Sequence, residues 1–323
     1  MIGSLVNKTW DRYGRMIDSG YRIPLTVLSL YRIALAGYML ILNPIPDLRW
    51  ISNYPDIFYD PAPGLPMIWR GFPPYWVLVF LEVGLVLAIC ALLVGWRTPM
   101  ASIAVTVIGY TANSTYFSFG KIDHTFMLWI VPGVLAFSGW GRHYSIDAAR
   151  RVAGLGDRAG ADDEEGFAPG WPVAIIGSLL ALSFLSAALP KILRGWLSLE
   201  TSAVKRHFLQ LSFQLERDQL LAGWFLDFDF QPFWESLDWA GVGLELALAV
   251  ALLWPFGQRW LLFAAWIFHL ANLLLLNISF YGPLPVYPLF FLPLVSPQLG
   301  SRVGRFVMDN RPAADRSGGG GPG

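Results

Sequence analysis

Several side chains of this sequence are of types that do acid–base or binding chemistry, and they lie within or at the ends of long apolar runs. Lys191 follows Pro190 at the close of the run 171–190, and His124 opens the run 125–140. His269 and Asn272 are three residues apart in the run 259–280, which puts them on one helix face. Glu82, Asn113, Glu245 and Arg32 interrupt other runs. An ionisable group inside a membrane span costs about 2.5–3.5 kcal/mol on insertion scales, so each needs a partner or a task. A lysine among Pro190, Ile192, Leu193 and Trp196 is a candidate base, because desolvation favours the neutral amine that can accept a proton. Counted at ~1.5 Å per residue, His269 falls near the middle of its run. Asn272, Glu82, Asn113, Glu245, His124 and Lys191 fall in one half, the outer one on the topology argued below; Arg32 lies nearer the other side. That pattern describes a polar-lined cavity entered from one face. Simpler duties compete: Glu82 or Glu245 as the partner of Arg32, the two asparagines as interhelical hydrogen-bond glue, Lys191 snorkelling to the interface, and His124 at a surface. His143 and His207 fall in loops and are given no role.

The elements that must hold these groups follow from composition. Of 323 residues, 55% are hydrophobic and only 14% charged, with 15 Trp and 12 Tyr available for interfacial belts. Mean hydropathy is +0.48. Lys and Arg together number 23, matched by 23 Asp and Glu, so no basic excess exists to drive nucleic-acid binding. One cysteine, Cys90, excludes an internal disulfide and a thiolate zinc site, and the histidines show no metal-ligand spacing, so no metal is expected. Apolar runs at 24–43, 75–95, 99–119, 125–140, 171–190, 240–255, 259–280 and 284–296 predict an all-α polytopic membrane helical bundle of about eight transmembrane helices. The fourth and eighth are short and are expected to be tilted or re-entrant. Basic residues crowd the loops on the side of the N-terminus, Arg12, Arg97, Arg142, Arg150 and Arg151 among them, which places both termini in the cytoplasm and the polar half outward. Residues 1–310 read as one domain whose outer segment 197–239 includes a helix lying in the interface. Residues 154–170 read as a solvated linker and the Gly-rich tail 311–323 as disordered.

Three stretches resemble the membrane domain of the vitamin K-dependent gamma-carboxylase family, the HTTM superfamily. The first runs from His124-Thr-Phe-Met to Gly141-Arg142-His143-Tyr144-Ser145-Ile146-Asp147; the second is Ser186-Ala-Ala-Leu-Pro190-Lys191-Ile-Leu-Arg194-Gly-Trp196; the third is Phe268-His269-Leu-Ala-Asn272 with its sequel Phe280 and Pro288-Leu289-Phe290. They occur in family order over about 24–297. The resemblance implies that Lys191 is the base that deprotonates a reduced naphthoquinone (vitamin K hydroquinone or menaquinol) and that His124 supports that step. It implies that His269, Asn272, Asp123 and Trp196 line the quinone site. Oxygen then reacts with the quinol, and the resulting strong base removes a glutamate gamma-proton so that carbon dioxide can add. Departures from the family pattern are Pro190 where animal enzymes have a first lysine, Asp123 where they have Asn, and a lone Cys90 where they have a disulfide. Little sequence follows the last run, so the expected acceptor is a small or membrane-tethered peptide, or one presented by a separate substrate-binding subunit.

Two further readings stay open at this level. One is a DoxX-like quinone oxidoreductase that passes electrons to quinone without oxygenation; the other is a non-catalytic membrane scaffold subunit. In every reading the partners are the lipid bilayer and, for the enzymes, an isoprenoid quinone. The charge asymmetry is directly testable. A reporter fused after residue 310 is expected to give the cytoplasmic signal, and an extracytoplasmic signal would overturn the topology.

Overall fold

The structure is a computed structural model that describes residues 2–42, 45, 47–119, 125–154, 166–200, 202–213, 222–225 and 227–295. Asp123, His124, the acidic run 162–165 and the tail 311–323 lie outside the described residues. Twelve α-helices are described: α1 (Ile2–Tyr21), α2 (Leu25–Ile41), α3 (Tyr75–Val94), α4 (Thr98–Tyr116), α5 (Phe126–Leu135), α6 (Ile146–Val152), α7 (Trp171–Leu193), α8 (Ala203–Phe213), α9 (Ala222–Phe225), α10 (Gln231–Val250), α11 (Pro255–Leu276) and α12 (Pro288–Val295). A two-residue antiparallel bridge, β1 (Ile23–Pro24) with β2 (Phe167–Ala168), ties the entry of α2 to the lead-in of α7.

Three of these helices, α3, α7 and α11, are long and apolar enough to cross a membrane. The expectation of eight spans is met only in this coarser form, for identifiable reasons. α2 and α5 are apolar but shorter, and α5 carries Pro132. α4 is long but polar: Ser102, Thr111 and Thr115 turn their hydroxyls back onto carbonyls four residues earlier at 2.6–3.0 Å. α10 carries Glu235, Asp238 and Glu245, and the last apolar run forms only the eight-residue α12 around Pro293.

At one end of the bundle the helices converge on Arg32 of α2, which is fully buried. Its guanidinium donates to the carbonyls of Leu92 and Leu93 at the end of α3, of Trp140 after α5 (3.3 Å) and of Tyr144 (2.6 Å). These carbonyls lie at or beyond helix ends, where the backbone lacks intrahelical partners. Glu245 and Glu82 are not its partners: Glu82 accepts from the Leu48 N–H at 2.5 Å and faces Arg49 at 3.1 Å. Gly95 closes α3 with φ +69, and a Cβ there would lie 2.3 Å from Ser145 Cβ and 2.8 Å from the Arg32 guanidinium, so only glycine fits. Asp147 caps α4, accepting from the backbone N–H groups of Arg97 (2.8 Å) and Thr98 (2.7 Å), while Ser145 caps α6 through the Ala148 N–H at 2.9 Å.

The amphipathic α1 joins this end through its last turn. Asp18 accepts from the Gly170 N–H at 2.8 Å and pairs with Arg22 at 2.8 Å, so α1 is fastened to the first residue before α7. The Gly170 hydrogen bond is the main reason that the Asp18 carboxyl titrates below its ordinary value; partial burial opposes this, and Arg22 adds to it. A depressed folded value means a stabilising contribution that is complete above the ordinary carboxylate range and lost as pH falls through the folded value. Asp18→Ala is therefore expected to lower the melting temperature at pH 7, with the gap to wild type closing below about pH 4. A gap unchanged from pH 7 to pH 3 would show that the carboxylate charge plays no part.

Candidate functional site

The C-terminal half of α7 carries Leu180, Ser183, Phe184, Ala187 and Lys191 at spacings that keep them on one helix face, and that face borders a cavity of about 440 Å³. α10 adds Leu237, Gly241 and Glu245, and α11 adds Phe268, His269, Asn272 and Leu276. α8 contributes Val204 and His207. It is held there by Asp238 of α10, whose two oxygens accept the N–H groups of Ala203 and Val204 at 2.8 Å, and by the packing of Phe208 and Leu211 with Trp234 and Leu276. The expected interfacial helix thus finds its apolar partner in its own chain.

Lys191 forms a salt bridge with Glu245, whose side chain is almost completely buried. The second Glu245 oxygen is buried with no hydrogen-bond partner among the described residues. The ammonium also lies 5.0 Å from the centre of the Trp196 ring. The five-residue spacing of Lys191 and Trp196 has a local cause. The Trp196 N–H bonds the Lys191 carbonyl at 3.1 Å, the Gly195 N–H bonds that of Ile192 at 3.1 Å, and Gly195 has φ +76. These are the two bonds of a Schellman cap, which folds the chain back so that the indole meets the lysine. His207 lies beyond, its ring 5.6 Å from that of Trp196.

On the opposite wall α11 ends at Asn277 with φ +47, and the chain turns back along the helix. This brings Phe280 flat against His269, with centroids 3.9 Å apart and planes 2° from parallel; Phe184 lies nearly parallel at 5.5 Å. His269 Nδ1 is 3.0 Å from the hydroxyl of buried Tyr287. The imidazole is therefore held by stacking and by a hydrogen bond rather than left bare in an apolar bundle.

Of the residues expected from sequence, Lys191, Trp196, His269 and Asn272 line this one cavity. Asp123 and His124 lie outside the described residues, although Met127, three residues after His124, lines the cavity. Asn113 donates to Thr125 at 3.2 Å and ties α4 to the start of α5, the interhelical duty weighed for it. Glu245 as the partner of Lys191, together with His207, Tyr287 and Phe184, was not anticipated. A carboxylate in an apolar run signalled Glu245, but nothing local signalled which cation it meets. His143 sits at the Arg32 end, where burial first, and then Arg151 and Arg142, hold its imidazole below the ordinary value.

The pair alters what a simple truncation of Lys191 does. From position alone the residue looks removable without harm at a helix end, yet its loss strands the Glu245 carboxylate. Breaking a buried pair by removing one partner costs on the order of 3 kcal/mol. Lys191→Ala is expected to be destabilised strongly in thermal unfolding, and Lys191→Ala with Glu245→Gln to recover most of the loss. Equal melting temperatures for wild type and Lys191→Ala would show that the pair contributes nothing.

A family model for the HTTM domain matches residues 24–294, most of the chain. No curated protein and no solved structure gives a significant match. The HTTM domain is found in vitamin K-dependent carboxylase-like proteins. The matched segment begins at the entry to α2, ends in α12 and contains every residue that lines the cavity. This chain is a membrane protein of the HTTM family.

Proposed function

We propose that the chain is a membrane-embedded quinol-dependent enzyme of the gamma-carboxylase and epoxidase type. In this reading it oxygenates a reduced naphthoquinone, vitamin K hydroquinone or menaquinol, and couples that step to carboxylation of a glutamyl acceptor. The observation that carries this reading is a lysine, paired to a buried carboxylate, at the wall of a largely apolar cavity between helices. The volume of about 440 Å³ lies within the range of small-molecule sites, and a flat lipophilic ring suits walls that include Phe184, Phe268 and Phe280. Few polar groups interrupt those walls: Lys191, Glu245, His207, His269 and Asn272, with the hydroxyls of Ser183 and Tyr287.

When bound, a reduced naphthoquinone would supply, with O2, the oxidative chemistry that generates a strong base. The protein's task is to remove the first proton. Lys191 and Glu245 in contact share one ionisable proton between them and carry no net charge. In this reading that proton rests on Glu245 and the neutral Lys191 amine takes a second one from a bound hydroxyl; the pair is then cationic beside the anion that remains, which stabilises that anion in a medium of low dielectric. Trp196 lies over the lysine ammonium and shields part of it. His269, held by Tyr287 and Phe280, presents a fixed polar edge for orientation. His124 is assigned the supporting role at deprotonation by the resemblance, and the approach of α5 to the cavity through Met127 is consistent with it.

Lys191→Arg is the informative variant. Arginine keeps a cation opposite Glu245 and so spares the fold, but it is not deprotonated in proteins and cannot serve as the base. Purified Lys191→Arg is expected to melt near wild type, to retain bound quinone detected by native mass spectrometry, and to form no quinone epoxide from quinol and O2. Epoxide formation at the wild-type rate by this variant would overturn the reading.

A further inference from the structure

The chain between α2 and α3 is rich in proline, with Pro55, Pro61, Pro63 and Pro66 among its described residues. None of its described residues lines the cavity. It packs instead on α4. Ala62 exchanges hydrogen bonds with Ser114, its N–H donating to the Ser114 carbonyl at 3.3 Å and its own carbonyl accepting from the Ser114 hydroxyl at 2.7 Å. One turn further along α4, toward the Arg32 end, the Tyr110 hydroxyl bonds the Pro63 carbonyl at 2.7 Å, and the Tyr110 ring lies directly under Gly64. The chain therefore descends from the last turn of α4 along the helix by about one 5.4 Å turn.

The face it descends is informative. Met100, Ile103, Val107, Tyr110 and Ser114 fall on one side of α4 at helical spacing. Met100, Ile103 and Val107 are exposed, and α4 packs along α3, which is long and apolar enough to cross a membrane, so an exposed apolar stripe here is read as facing lipid. Tyr110 and Ser114 continue that stripe, and Ala62, Pro63 and Gly64 cover them. The segment is thus laid over the upper part of a lipid-facing stripe. Its own outward side chains, Leu65, Met67 and Ile68, are 51%, 64% and 71% exposed. From Pro61 to Trp69 the chain has no charged residue, and Asp60 and Arg70 bracket it. A water-facing loop has no reason to show three large aliphatic tips and no charge; an interfacial element that exchanges protein for acyl chain does. Tyr59, whose hydroxyl bonds the Pro66 carbonyl at 2.5 Å, and Asp56, which accepts from the Phe72 N–H at 2.9 Å, pin the two ends so that the tips project together.

We propose that residues 61–69 form a membrane wedge whose tips Leu65, Met67 and Ile68 insert among the acyl chains of the leaflet at the C-terminal end of α4. The wedge anchors this loop in lipid beside α3 and α4, away from the α7–α10–α11 cavity. This inference is independent of the quinol reading, since it uses no residue of the cavity.

The test uses the intact chain in lipid nanodiscs. In a Cys90→Ser background, which removes the exposed thiol of α3, single cysteines replacing Met67, Ile68, Val107 or Ser52 are spin-labelled. Collision rates are then measured with O2, which concentrates in the bilayer, and with a water-soluble nickel chelate. Labels at 67 and 68 are expected to match the Val107 label, with loss of nickel collision, while the Ser52 label behaves as water-exposed. In parallel, unmodified protein is irradiated with a phospholipid carrying an acyl-chain diazirine, and adducts are expected on the peptide spanning 61–70 as well as on α3 and α4. Nickel collision at 67 and 68 equal to that at 52, or adducts on α3 and α4 with none on 61–70, would overturn the wedge.

Discussion

One guanidinium organises the end of the bundle away from the cavity. In hydrocarbon, a backbone carbonyl that has left its helix must find a donor within the protein, and every such end threatens an unpaid hydrogen bond. Arg32 meets several of these demands at once, because a guanidinium offers five N–H donors in a fixed plane and no acceptor. It reaches the last turn of α3, the chain after α5 and the approach to α6. The buried charge is compensated by these carbonyl dipoles, and the Asp147 carboxylate lies near enough to add to them. Glu82 and Glu245 are thereby released for other contacts, and the ends of three segments are gathered on one side chain.

At the cavity the same economy of partners produces something reactive. The helices bring one lysine and one glutamate together across α7 and α10, leave one carboxylate oxygen without a protein partner among the described residues, and set the Trp196 ring beside the lysine. Such an arrangement is poorly optimised for stability, since well-packed apolar residues often do better than a buried pair. It is suited to handling a proton away from water. The stacked His269, Phe280 and Phe184 supply the rigid side of the site, and α8, clamped by Asp238, supplies its cover.

The short strings that resemble the carboxylases prove to have structural duties of their own. In Tyr144-Ser145-Ile146-Asp147, the serine caps its own helix, the aspartate caps α4, and the tyrosine carbonyl receives Arg32. The lysine-to-tryptophan spacing is that of a Schellman cap. Motifs of this kind therefore report the fold as much as the chemistry, and the functional reading rests on the cavity that they frame.

Read alone, the sequence determined the environment and marked four of the residues that line the cavity. Uniformly apolar runs specify helices in lipid, because no other local structure satisfies its backbone there. The scarcity of ionisable groups in those runs made Lys191, His269 and Asn272 conspicuous. Trp196 stood out through its place in a recognisable string. What the sequence could not decide was pairing. Glu245 stands fifty-four residues from Lys191 in the chain, and whether it meets that lysine or Arg32 depends on which helices pack together, a choice made by the whole bundle. His207 looked like a loop residue because the docking of α8 depends on Asp238 of another helix. The run count was likewise ambiguous, since hydropathy measures how apolar a stretch is and not how far a single helix continues. Periodicity and composition are local properties. Partners, depth and enclosure belong to the tertiary structure, where residues distant in sequence first share one low-dielectric space.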